Sequence, residues 1–153
     1  HPICRFPARF KWLRSQVSDL PGLRELQNCP KYQTWRKNGQ ITSISMYFAT
    51  GYFGNPASFF GHPLMKFNVG QGETNLIDAS LNYGALTPDG ENPVLYVLKG
   101  LFGGYSASFS HHDFFFHNHN YSETEMRDLW EYRLNLKPAE IEYVVDHSWE
   151  LLG

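Results

Sequence analysis

Two apolar-leaning runs, residues 64–69 and 75–83, are separated only by Gly70-Gln71-Gly72-Glu73-Thr74. A short glycine-bearing turn between two such runs joins neighbouring strands in antiparallel fashion. The middle of the chain is thereby committed to an antiparallel sheet. Residues 41–49 add a strand, with Ile44, Met46 and Phe48 on one side and Thr42, Ser43 and Ser45 largely off it. Residues 105–110 alternate as another. Residues 129–136 set Trp130, Tyr132, Leu134 and Leu136 against Glu131, Arg133 and Asn135, which predicts a further strand.

Helical spacing flanks this region. Phe10, Leu13 and Val17 recur with Arg9, Lys11 and Arg14 between them, predicting an amphipathic helix over 7–17. Residues 19–30 read as a loop of broken helical character. A second short helix spans 31–37, carries Tyr32 and Trp35, and stops at Asn38-Gly39. Asn92-Pro93 caps a helix through Val94, Leu95, Val97 and Leu98, which Gly100 and the Gly103-Gly104 pair end. The last helix starts at Lys137-Pro138-Ala139-Glu140 and buries Ile141, Val144, Val145, Ser148, Trp149 and Leu152. The expectation is an α+β chain: a helical N-terminal cap over 1–40, then a sheet-bearing core over 41–153.

At 153 residues, with 12 Phe, 9 Tyr and 4 Trp, the chain buries a core without needing a metal. A net charge of -2 and the absence of a basic run argue against nucleic acid and against a polybasic membrane patch. These residues hold no signal-peptide core and no apolar stretch of transmembrane length, and they begin at His1, which suggests a processed or trimmed piece. Cys4 and Cys29 flank one helical segment. They fit either a bridge in an oxidising compartment, stabilising by roughly 3 kcal/mol, or two buried thiols in a cytosolic protein.

The residues that carry chemistry are few. Gly54-Asn55-Pro56-Ala57-Ser58-Phe59-Phe60-Gly61-His62 delivers one imidazole from a glycine-flanked turn to the start of a strand. Asn55 and Pro56 read as N-cap and first helical residue of a short turn that Gly61 stops, with the Ser58 hydroxyl as a capping group. His111-His112-Asp113-Phe114-Phe115-Phe116-His117-Asn118-His119 invites a metal, yet its spacing matches no established signature and three phenylalanines argue for packing. No metal and no cofactor are expected. The glycines at 100, 103 and 104 lack the Lys-Ser/Thr of a phosphate loop, and Gly-x-Ser-x-Gly is absent. Both cysteines precede His62 and lie in the cap, where neither is well placed as a nucleophile.

Blocks along the whole chain are similar to one family. They are Cys4-Arg5-Phe6-Pro7-Ala8-Arg9-Phe10, Cys29-Pro30, Asn55-Pro56-Ala57-Ser58-x-Phe60-Gly61-His62 and Leu81-Asn82-Tyr83-Gly84. Lys99-Gly100-Leu101-x-Gly103-Gly104-Tyr105 and Arg127-Asp128-Leu129-Trp130-Glu131-Tyr132-x-Leu134-Asn135-Leu136 complete the set. Their order and spacing resemble the Lnb N-terminal periplasmic domain family, named for lipoprotein N-acylation transacylase B enzymes. The resemblance implies export, hence a Cys4–Cys29 disulfide, and a periplasmic or outer-membrane-associated location in the cell envelope.

It also implies a circularly permuted papain-like fold of the NlpC type, an antiparallel sheet with flanking helices. His62 would be the general base and Asn82 the residue orienting it, while Tyr83 and Ser58 would contact substrate. The family's nucleophile sits in an Asn-Cys motif after the last helix. This chain ends at Gly153 without it, so the thiol is expected from the remainder of the polypeptide or from a partner chain. The implied activity is Cys-dependent acyl transfer from a lipid or lipoprotein substrate. The alternatives are a non-catalytic envelope scaffold and a peptidoglycan amidase or peptidase.

Overall fold

The computed structural model describes residues 1–17, 24–54, 58–70, 75–88 and 90–152. Five strands form one sheet: β1 (Ile41–Ala49), β2 (His62–Val69), β3 (Ala79–Ala85), β4 (Ala107–Asp113) and β5 (Leu129–Arg133). Their order is β4-β3-β2-β1-β5, antiparallel throughout. Around it lie α1 (Pro2–Arg5), α2 (Pro7–Gln16), α3 (Arg24–Gln27), α4 (Pro30–Trp35), α5 (Pro93–Leu101), α6 (Phe114–Asn118) and α7 (Pro138–Leu151). The fold is α+β, an antiparallel sheet with flanking helices.

Local chemistry sets several boundaries. Pro138 is the first residue of α7, and the Lys137 backbone N–H donates to Glu140 Oε2 at 2.7 Å, closing its first turn. In α5 the Asn92 side chain accepts from the Val94 N–H at 2.9 Å. Strand β3 starts four residues later than its apolar run, because Asn75 Oδ1 takes the Ile77 N–H at 3.2 Å and makes a turn of that stretch. Strand β4 runs on to Asp113, so His111 and His112 are strand residues. Strand β5 ends at Arg133, and on this sheet edge Trp130 and Tyr132 are exposed rather than buried.

One sheet face meets α2, α4 and α7. Phe10, Leu26, Tyr32 and Trp35 are buried there with Ile44, Phe67, Leu81, Ile141 and Val145. Trp35 ties the layers together: its indole N–H donates to the Val145 carbonyl at 3.0 Å, and its ring lies edge-on to Phe67 at 5.2 Å. The helices of residues 1–40 thus share one core with the sheet. Helix α2 docks by its first half, where the Arg9 backbone N–H donates to Glu150 Oε1 and Lys11 reaches Asp146. Leu13 and Val17, expected in the buried stripe, therefore face solvent. Cys4 and Cys29 are disulfide-bonded, stapling α1 to the start of α4.

The opposite face holds a smaller apolar cluster of Tyr47, Leu64 and Phe114 and, beside it, a buried polar network. Lys66, 1 % exposed, donates to Asn68 Oδ1 at 2.7 Å and Asp78 Oδ2 at 3.0 Å. Asn68 in turn donates to the Ser45 hydroxyl at 2.9 Å, and Ser45 donates to Glu131 at 2.7 Å. Ser45, expected off the apolar side, is buried in this network. Each polar group finds a partner, which is what burial of such groups requires.

Candidate functional site

The site begins with a backbone constraint. Gly61 has φ +86°, and a Cβ there would meet Phe48 Cζ at 2.5 Å and the Ala49 carbonyl at 2.7 Å. Only glycine fits this left-handed, crowded position. It turns the chain so that His62 opens β2 opposite Ala49 of β1. The loop before it closes through the Ser58 carbonyl, which accepts from the Tyr52 N–H at 2.9 Å and the Gly61 N–H at 3.1 Å. The expected cap and proline at Asn55 and Pro56 lie outside the described residues.

Strand register carries the second group in. Lys66 pairs with Ser80 and Met65 with Leu81, so Asn82 shares the sheet face of Leu64 and His62. His62 Nε2 is hydrogen-bonded to Asn82 Oδ1. An amide oxygen only accepts, so this bond puts the imidazole proton on Nε2 and leaves the lone pair on Nδ1. The two residues singled out from the sequence are in contact. Tyr83, one position along β3, points to the other face and packs half-exposed against Phe109 at 4.7 Å.

Tyr121 borders His62, and Arg127 and His117 pack on Tyr121 in turn. Tyr121, in the π-helical turn His119–Thr124, has its ring 6.3 Å from the imidazole. Arg127 lies over the Tyr121 ring at 4.7 Å, donates to the carbonyls of Thr50 at 2.6 Å and Ala49 at 3.2 Å, and pairs with Glu125. His117 stacks on Tyr121 with centroids 5.8 Å apart, and it is 3 % exposed. Its Nε2 has no hydrogen-bond partner. Burial, followed by the nearby His112 and His62, pushes the His117 pKa down to about 4, so it is neutral near pH 7.

Sequence reasoning missed Tyr121 beside His62 and Arg127 over Tyr121, though Arg127 opens one of the family-like blocks. It flagged His117 only as a member of the histidine run. The sheet divides that run: His111 lies edge-on to Trp35 on one face, while His112 stacks on Phe116 on the other. Among the described residues no three His, Cys, Asp or Glu side chains gather at a point that would hold a metal ion. Cys4 and Cys29 are bonded to each other, so neither offers a thiolate.

An antiparallel α+β domain with a histidine fixed by an asparagine amide at one end of its sheet is the class defined so far. The chain belongs to the Lnb N-terminal periplasmic domain family, whose model matches residues 31–153. The Cys4 and Cys29 blocks precede that span. No curated protein and no solved structure matches the chain. Membership assigns it to the bacterial envelope as a periplasmic domain, and no helix among the described residues is long and apolar enough to cross a membrane.

Proposed function

We infer that this domain supplies the base half of a thiol-dependent acyl-transfer site, arranged as in a circularly permuted papain-like enzyme. The observation that carries this reading is the hydrogen bond between His62 Nε2 and Asn82 Oδ1. It leaves Nδ1 as the nitrogen able to take a thiol proton, the arrangement of a Cys-His-Asn site. Family membership supports the envelope setting.

In this scheme the S–H bond breaks as its proton passes to Nδ1, and the thiolate forms a C–S bond to an ester carbonyl carbon. The ester C–O bond then breaks, and the leaving alkoxide takes the proton from the imidazolium. An amine, a lipoprotein N-terminus on this reading, attacks the thioester carbon as the imidazole removes its proton, and the thiol is regenerated. Asn82 holds the ring through both proton transfers. With Cys4 and Cys29 bonded to each other, the thiol in this scheme comes from outside residues 1–153.

The test is covalent labelling of the protein as encoded, using an acyl-ester probe that leaves a thioester. The expected result is labelling at one cysteine that falls by on the order of a hundredfold or more in His62→Ala, the range typical of a lost general base. Unchanged labelling in that variant, or none in the wild type, counts against the reading.

A further inference from the structure

The most fully exposed of the large apolar side chains are not spread over the surface. Phe53, Phe60, Leu101, Phe102 and Met126 are each three-quarters exposed or more, and among the described residues no other large apolar side chain is. All five lie in connections at one end of the sheet. Strand β1 ends at Ala49, opposite both His62, where β2 begins, and Leu129, where β5 begins. Ala85 and Ala107 pair at the end of β3 and the start of β4. Phe53 and Phe60 therefore sit in the β1–β2 loop, Leu101 and Phe102 in the β3–β4 connection, and Met126 just before β5. This is the end that carries His62.

The β3–β4 connection is apolar over much of its length. Along α5, Val94, Leu95, Val97 and Leu98 are also exposed, and Leu86 precedes it. Beside the helix a cavity of about 310 Å³ is lined by Ala85, Tyr96, Val97, Leu101 and Tyr105. In the β1–β2 loop the Phe53 and Phe59 rings meet edge-on at 5.0 Å, and Phe59 meets Phe60 at 5.4 Å. Apolar clusters of this extent on a protein surface mark contact with a partner or a membrane.

Charge at this end selects between those occupants. The two cations, Lys99 and Arg127, are engaged by Glu91 and Glu125, and Asp128 adds an exposed anion. Among the described residues here no cation is left over for a lipid phosphate, and the β1–β2 loop carries no ionisable group but Tyr52. We propose that this end of the domain rests on a bilayer without net charge, inserting phenylalanines of the β1–β2 loop and the apolar side chains of α5 into the interface. A lipid surface takes side chains from several separate connections without a shaped counterpart, and aromatic and leucine side chains are those that anchor interfacial segments. The contact is peripheral, and it holds whether or not His62 is a catalytic base.

The test is co-sedimentation of the full chain with phosphatidylcholine vesicles and with vesicles of equal parts phosphatidylcholine and phosphatidylglycerol, at low and high salt. The expected result is binding to phosphatidylcholine that salt does not weaken and that phosphatidylglycerol does not strengthen. The doubly substituted Phe53→Ser, Phe60→Ser chain should bind at least tenfold less, given what a phenylalanine gains on leaving water. Because both side chains are exposed, that variant keeps its fold, which its circular dichroism checks. Leu101→Ser with Phe102→Ser provides an independent second reading. No binding to phosphatidylcholine, binding that needs the anionic lipid and vanishes in salt, or a dimer that the same substitutions dissociate would each overturn the proposal. Those last two outcomes point to an electrostatic contact and to a second copy of the chain.

Discussion

At the scale of single residues, position and protonation are set by very local features. Gly61 is legible in the sequence because a glycine before a strand signals an unusual backbone angle, and the structure adds the reason no other residue fits: Phe48 and the Ala49 carbonyl occupy the space. His62 and Asn82 were nameable from family-like blocks, but their contact depends on strand register, which no local pattern states. His117 shows the reverse. Its identity was obvious and its burial was not, since a helix packed over the sheet decides it. With the folded-state pKa lowered to about 4 from an ordinary value of 6.5, the unfolded chain binds the extra proton first. Stability is therefore fully present above about pH 6.5 and falls as pH drops toward 4, by on the order of 3 kcal/mol in all. Urea midpoints at pH 7 and pH 4.5 should differ in wild type, and the part of that difference due to this residue should vanish in His117→Phe.

At the scale of elements, the buried polar network on one sheet face sets a strong constraint. Strand alternation announced β1 and β2, but it assigned Ser45 to the solvent side, whereas Lys66, Asn68, Asp78 and Ser45 form a buried network there. Alternation reports which residues avoid water, and it is blind to polar groups that satisfy one another. Asp78→Ala would strand the Lys66 ammonium, a loss of about 3–5 kcal/mol, because the remaining charge stays buried without its partner. Replacing both, as Lys66→Met with Asp78→Leu, should cost far less than the single change. Chemical denaturation of the two variants separates these outcomes, and equal destabilisation would contradict a paired role.

At the scale of the whole molecule, the antiparallel α+β architecture was legible because glycine-bearing turns and alternating runs are local signals. How residues 1–40 sit was not, since tertiary packing alone decides it. Phe10, Leu26 and Tyr32 share the core with Ile141 and Val145, and the Trp149 indole donates to the Cys4 carbonyl at 2.7 Å. Removing residues 1–30, which precede the family match, should leave that core open and the remainder unable to unfold cooperatively; a sharp thermal transition in the shortened chain would contradict this. The central claim about this molecule is that Asn82 holds His62 with its proton on Nε2 and its lone pair on Nδ1. Two-bond ¹H–¹⁵N spectra of the imidazoles near pH 8 read that tautomer directly. The prediction is a single Nε2–H form for His62 that becomes a mixture in Asn82→Ala; an Nδ1–H form in the wild type, or no change on substitution, would contradict it.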